Sequence, residues 1–339
     1  SGKIKSFDDQ NIEIRNIILD EKKEYKIYII KNSRFYTNRI HDSAFIINNK
    51  IIDGPSYQLR NNKNVDCSNN IVFEQGTPRF QKKLSGRVVS LLSGGGANKN
   101  YWHWLFDVLP KLFMVSKIYT LEEIDYFLFP DTSEKFQRES LDLIGIPHKK
   151  RLSSKYYRHF SADEIIVPDH PNNFKNDPSL DSLNIPNWIF EYLKKIFVKN
   201  LIFKEFPKKI YIDRSDSKSG HRHLRKIINE DLVRDFLLKN NFKVITLSKL
   251  KFEDQIALFY GAEIIIGLHG AGFANIVFSR NSTKVIELKS KSSGDIIGNL
   301  AKKNNLNFDC ISVDPQTIHT NVQLGDIEIP IEHLKKIIY

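Results

Sequence analysis

The feature that most constrains this chain lies between residues 209 and 313, where short apolar runs alternate with amphipathic ones without a break. The runs Lys209–Ile212, Phe242–Leu247, Glu263–Gly267, Lys284–Leu288 and Phe308–Val313 are strand-sized and rich in β-branched residues. Between them, Glu230–Lys239, Phe252–Phe259, Ala271–Phe278 and Asp295–Lys303 carry helical periodicity. A strict β-α-β series predicts parallel strands with crossover helices, a doubly wound sheet. Pro330 then introduces a final amphipathic helix, Ile331–Ile338.

The middle of the chain repeats the pattern. Arg87–Leu92 reads as a strand that runs into Gly94-Gly95-Gly96, followed by a helical stretch from Asn98 to Ile118. Tyr126–Phe129 and Glu164–Val167 read as further strands, with helices near Glu134–Leu143 and Asn187–Val198. Residues before this are strand-rich, punctuated by turn signals such as Asp53-Gly54-Pro55. The expected organisation is α/β: a β-rich segment 1–86 packed on a first Rossmann-like domain 87–203, a second Rossmann-like domain 204–325 and a closing helix 326–339.

A length of 339 residues suits two domains of ordinary size, and 41% hydrophobic with 27% charged residues marks a globular chain. Ser1-Gly2 reads as the scar of a cleaved expression tag. No run approaches the ~20 apolar residues that span a bilayer. Cys67 and Cys310 are too few and too far apart for a disulfide framework or a cysteine metal site, and favour a reducing compartment. The expected location is cytoplasmic, at the inner face of the membrane. A net charge of +11 attracts anions: nucleotide diphosphates, nucleic acid or lipid surfaces. The densest basic run, His148-Lys149-Lys150-Arg151 onward, is either a solvated loop or a patch for peripheral contact with an anionic membrane. No nucleic-acid signature accompanies it.

Open α/β sheets bind ligands at the carboxyl ends of their strands, and three features of the second half fall there. Asp213-Arg214 follows the first strand, His269-Gly270-Ala271-Gly272 follows the third, and Glu287 ends the fourth. Glycines let backbone amides approach a ligand, and a helix start offers unpaired donors to a phosphate. Arg214 and Arg225, with Arg222 and Lys226, suit bidentate phosphate contact. Glu287 is placed to accept from ribose hydroxyls.

In the first half, Asn100-Tyr101-Trp102-His103-Trp104-Leu105-Phe106-Asp107-Val108-Leu109-Pro110 is dense in polar and aromatic groups. Asn100, His103 and Asp107 share one helical face and make a candidate cleft wall. Pro110 cannot donate to the Phe106 carbonyl, so the helix is expected to bend beside Asp107.

These two runs, with Ile210-Tyr211-Ile212-Asp213-Arg214, Asn229-Glu230, Gln255, Asn275 and Val285-Ile286-Glu287-Leu288, resemble glycosyltransferase family 61 over residues 87 to 290. The resemblance implies a GT-B fold, a UDP-sugar donor, a glycan or lipid-linked glycan acceptor in surface polysaccharide synthesis, and inversion at the transferred sugar. It implies catalysis at His103 or Asp107 and donor contacts from Arg214, Arg225, His269, Gly270, Ala271, Gly272, Asn275 and Glu287. Acceptor contacts fall to Asn100, Trp104 and Gly95. One departure is visible: where the family commonly has paired arginines, this chain reads Leu224-Arg225-Lys226-Ile227. No Asp-X-Asp pair exists, so no metal and no cofactor beyond the sugar nucleotide are expected.

Three other readings compete. A dinucleotide enzyme needs a Gly-X-Gly-X-X-Gly turn, which Gly94-Gly95-Gly96 does not provide. A sugar-nucleotide epimerase would share the donor site, and a polyanion-binding module would use the charge alone.

Overall fold

A computed structural model describes residues 3–5, 10–20, 23–38, 42–56, 58–60, 63–93, 99–172, 183–199, 201, 205–215, 225–316 and 325–339. The chain divides into two compact units, Ser1–Tyr192 and Leu193–Tyr339. The division falls inside the helix Asn187–Phe197. In its first part Trp188 and Tyr192 stack on Phe113, while Phe197 packs edge-on against Phe252 and Phe278.

The first unit carries the strands β1 (Lys3–Lys5), β2 (Ile12–Asp20), β3 (Lys23–Thr37), β4 (Ser43–Ile47), β5 (Lys50–Ile52), β6 (Gln58–Arg60) and β7 (Lys63–Val65). After these come β8 (Lys82–Ser90), β9 (Tyr126–Phe129), β10 (Arg151–Ser153) and β11 (His159–Pro168). Nine of them form one sheet, in the order β1-β5-β4-β3-β11-β8-β9-β10, with β2 also paired to β3; β6 and β7 pair separately. The strand-rich beginning joins the first domain edge to edge. It extends the same sheet, because β3 zips antiparallel along β11 from Ile27↔Pro168 to Tyr36↔His159. Side chains from both parts, among them Phe35, Phe45, Val88, Phe160 and Ile165, share one buried core.

The strands β8 to β11 are parallel to one another and run β10-β9-β8-β11 across the sheet. Successive strands are added in one direction from β8 to β10, and β11 returns to the other side of β8. That reversal makes the carboxyl ends of β8 and β11 a topological switch point.

The second unit has the strands β12 (Lys209–Asp213), β13 (Lys243–Thr246), β14 (Ile264–Leu268), β15 (Lys284–Ser290) and β16 (Asn307–Val313). All pair in parallel, in the order β13-β12-β14-β15-β16. Here the reversal lies between β12 and β14. The central strands β14 and β15 are buried on both faces, as the continuous apolar run of β14 requires; β15 buries Glu287 among its apolar residues. Glu230 and Asp231 begin the helix Glu230–Lys239 and Lys239 ends it, as the helix dipole favours, and Val233 and Leu237 bury its inner stripe. The closing helix spans Ile331–Ile338 behind Pro330, and its Leu334 is buried in the core of this unit.

Gly86 carries a structural demand that only glycine meets. Its φ is +95°, and a Cβ there would lie 2.0 Å from Oδ2 of Asp125. That oxygen accepts the Arg87 amide at 2.7 Å, and Asp163 accepts the Gly86 amide at 2.7 Å. Gly86→Ala is expected to lower stability by about 2–3 kcal/mol, the cost of positive-φ strain plus a displaced hydrogen bond. A lower midpoint of chemical denaturation with an unchanged slope is the outcome to look for.

Candidate functional site

In the first unit the polar cluster is built at the β8/β11 switch point. Asn100 caps a helical turn, Tyr101–His103, its side chain accepting the Trp102 amide at 3.0 Å. The helix then continues as a π turn, Trp104–Val108, in which the Leu109 amide reaches back to the Trp104 carbonyl at 3.0 Å. Pro110 explains the slip: with no N–H, it leaves the ordinary ladder one donor short, and the turn widens by one residue.

The widened turn carries Asp107. Its Oδ2 lies 2.5 Å from Nδ1 of His103, and its Oδ1 accepts from Nδ2 of Asn172 at 2.6 Å. Nε2 of His170 stands 3.9 Å from Oδ2. Asn172 and His170 follow the end of β11, and the Asn172 amide donates to Nδ1 of His170 at 3.2 Å. Sequence reasoning missed both, because nothing local links them to Asp107. The carboxylate is 6% exposed, whereas the His103 side chain is 41% exposed. Four residues further along the helix, Lys111 is fully buried and donates to the carbonyls of Leu91 (3.0 Å) and Ser93 (2.6 Å).

The protonation preferences follow from this packing. Burial alone would raise the Asp107 carboxyl, but His103, His170 and Lys111 together hold it below the ordinary carboxylate range. Burial opposes charge on His103, yet the Asp107 carboxylate outweighs it and raises the imidazole. His170, fully enclosed, is pushed down to about 3 by burial and is neutral at physiological pH.

The acceptor-side expectations change in one respect. Trp104 has no exposure; its Nε1 donates to Ser140 at 2.9 Å and its ring packs on Phe129 and Phe136. It is a core residue and cannot touch an acceptor. Gly95 lies outside the described residues.

In the second unit the cluster sits at the β12/β14 switch point. Nη1 of Arg214 donates to the His269 carbonyl at 2.7 Å, bridging the two strand ends. Asp213 sets the turn before it, accepting from the Ser215 amide at 3.0 Å and from Thr246 Oγ1 at 3.1 Å. Gly270 is extended, and a Cβ there would press to 3.1 Å from the Arg214 guanidinium, so the arginine would have to give slightly. Gly272 has Leu247 at 3.0 Å from the same position. The Ala271–Phe278 helix that follows is 3-10 rather than α, and Gly270, Ala271 and Gly272 remain open to solvent at its start.

Glu287 is fully buried and bonded through Oε1 to Nδ1 of His269. The expectation that it accepts from ribose hydroxyls does not fit a side chain with no exposure; its place is behind His269, fixing that ring. Arg225 is half-buried, and among the described residues its Nε and Nη1 have no hydrogen-bond partner. Burial and the neighbouring Arg214 pull its pKa down to about 10, against the attraction of Glu287. The Arg225 and Arg214 guanidiniums are thus close enough to repel each other, beside a turn whose backbone is open to solvent. Arg222 and Asp216 lie outside the described residues.

Several residues of the sequence pattern brace the fold. Asn275 donates to Gln255 and to the Gly272 carbonyl at 3.2 Å each, and Gln255 donates to the Leu247 carbonyl at 3.0 Å. Asn229 clasps the backbone of Ile329 at both ends of its amide, and Glu230 accepts from the Tyr211 hydroxyl. In the basic run, Lys150 donates to the carbonyls of Glu122 and Ile124, and Arg151 to Asp142 and Ile146. Those two cations are committed inside the protein. Among the described residues no helix is long and apolar enough to cross a membrane, and no group of three His, Cys, Asp or Glu could hold a metal ion.

The sequence profile of the family described as Glycosyltransferase 61 matches residues 101–286, more than half of the chain, and takes in His103, Asp107, Asn172, Arg214 and His269. No curated protein matches the chain.

Asn172→Ala would leave Oδ1 of Asp107 buried without its donor. A loss of about 1–3 kcal/mol at pH 7 is expected from that desolvated acceptor. The folded-state pKa of Asp107 lies below its ordinary 3.8, so its contribution is complete above that value and lost as pH falls through the folded value. Removing Asn172 raises the folded value, so acid unfolding should begin at higher pH in the variant, as urea titrations across pH 3–7 would read.

Proposed function

The chain belongs to glycosyltransferase family 61 and is a glycosyltransferase, acting on a sugar donor and a glycan acceptor, and we propose that its donor is a UDP-sugar and that it inverts the transferred centre. The reading extends to a GT-B arrangement, a role in capsule or lipopolysaccharide synthesis at the inner face of the membrane, and independence from metal. The observation that carries it is the pairing of site types: a histidine-carboxylate dyad at one switch point and a doubly cationic, amide-rich turn at the other.

In this reading the diphosphate rests on the amides of Ala271 and Gly272 and the guanidiniums of Arg214 and Arg225. These fixed charges stabilise the leaving diphosphate in place of a cation. His269, held by Glu287, adds a ring donor at the strand tip.

Inversion is a single displacement: the acceptor oxygen bonds to the anomeric carbon as the bond to the diphosphate breaks. The hydroxyl proton needs a base as that bond forms. His103 fits the task and Asp107 does not. Both Asp107 oxygens are engaged and the carboxylate is buried, while the His103 ring is solvent-accessible. Asp107 holds the proton on Nδ1 and leaves the Nε2 lone pair for the acceptor hydroxyl, then steadies the imidazolium. Asn100, at the head of the same helix, is positioned for acceptor contact.

His103→Ala should lower turnover by ~10²–10⁴, as loss of a general base does, with UDP affinity unchanged. Asp107→Asn should fall in the same range through the misoriented ring. The histidine must be neutral to act, and Asp107 raises its pKa above the ordinary 6.5, so wild-type activity should decline with falling pH about a midpoint above that value. Near-wild-type turnover in both variants at saturating donor and acceptor would place the base elsewhere.

Arg214→Ala should weaken UDP binding by about 1.5–3 kcal/mol, the worth of a charged hydrogen bond. Calorimetry in EDTA tests the affinity and the metal expectation together. Binding that disappears in EDTA and returns with Mn²⁺ or Mg²⁺ would overturn the metal-free site, and release of UDP without acceptor would argue against transfer.

A further inference from the structure

Lys111 takes no part in the chemistry described so far, yet its ammonium is buried without any exposure. Burying an ammonium is expensive, and where packing alone is needed an apolar chain of similar volume is commonly as stable. The position therefore calls for a role that uses the charge.

Its surroundings give that role. Lys111 lies one helical turn beyond Asp107, and its Nζ donates to Leu91 O and Ser93 O, just past the end of β8. Ser93 Oγ donates at 2.6 Å to the carbonyl of Pro168, the last residue of β11. Four residues on, Asn172 returns to Oδ1 of Asp107. The contacts close a ring: the helix, the end of β8, the end of β11, Asn172 and the helix again.

We propose that Lys111 is a positioning residue for His103: its ammonium counterbalances the Asp107 carboxylate and holds the end of β8, which through Ser93 is tied to the end of β11, the strand end that supplies the other partners of that carboxylate. The ionisable groups around Asp107 are His103 and Lys111 from its own helix and His170 from the segment after β11, where Asn172 adds a neutral amide. His170 is pushed down to about 3, so between that pH and neutrality Lys111 is the cation that faces Asp107 beside His103. Burial pulls Lys111 down to about 7 against the attraction of Asp107, so the ammonium carries its charge below that pH. A positive charge there disfavours a second one on His103, and its removal makes the imidazole easier to protonate.

The inference rests on the reading of His103 as the base, and its test has a readout that does not. The imidazole of His103 would be titrated by NMR in the full-length chain, its resonance identified with His103→Ala, in the wild type and in Lys111→Gln. Glutamine keeps N–H donors for the Leu91 and Ser93 carbonyls and drops the charge. The expected result is an upward shift of about half a pH unit or more in the His103 titration. Turnover at saturating substrates should fall about tenfold or more through the displaced dyad, with UDP affinity unchanged. An unmoved His103 titration in Lys111→Gln overturns the proposal whatever the turnover does. Lys111→Arg keeps the charge and should leave the titration in place; a shift as large as that of the glutamine variant overturns it too. If Lys111→Gln does not fold, Lys111→Arg decides alone, an unchanged titration supporting the proposal and a displaced one ending it. Loss of activity in His103→Ala is judged separately, so failure of the base assignment and failure of the Lys111 assignment are distinguishable.

Discussion

A parallel sheet that adds strands first on one side and then on the other sends two neighbouring connections away to opposite faces. Between their starting points the strand ends stand open, with backbone groups that no crossover covers. Each unit of this protein has one such place, and the main buried polar clusters gather there. In the first unit the gap lies between β8 and β11 and is filled by Asp107, Lys111, His170 and Asn172. In the second it lies between β12 and β14 and is spanned by Arg214 reaching the His269 carbonyl.

The two clusters solve the problem of buried charge differently. The first balances its carboxylate locally, with hydrogen bonds to both oxygens and a buried ammonium nearby, so that one ring, His103, is left at the surface in a defined tautomer. The second brings two cationic side chains together. Arg214 and Arg225 stand close together with one buried carboxylate, Glu287, whose Oε1 is already committed to His269. Two like charges held near each other at an open turn repel, and that repulsion lowers the pKa of Arg225.

Small backbone devices set these geometries. Pro110 cannot continue the hydrogen-bond ladder, and the resulting π turn is the segment that carries Asp107. Gly270 lies where a Cβ would press closely on the Arg214 guanidinium, so the missing side chain lets the arginine approach the strand tip without shifting. Asp213 holds the turn from which Arg214 departs. Each of the three fixes the position of a polar group nearby.

The sequence by itself determined the local layer: the β-α alternation of the second unit, the helices at Glu230–Lys239 and Ile331–Ile338, the disturbed helix ahead of Pro110, the pairing of His103 with Asp107, and the arginine and glycine positions at strand ends. These follow from periodicity, from spacing within one helix, or from the missing N–H of proline, all of which act over a few residues. Tertiary structure alone decided the rest. It joined β3 to β11 in one sheet, buried Trp104, drew Glu287 behind His269, and brought His170, Asn172 and Lys111 around Asp107. Those outcomes depend on which strands become neighbours and on which side chains lose water. Register between strands distant in the chain is set by the packing of the whole core, and a polar residue read alone shows no sign of the partner that will share its burial.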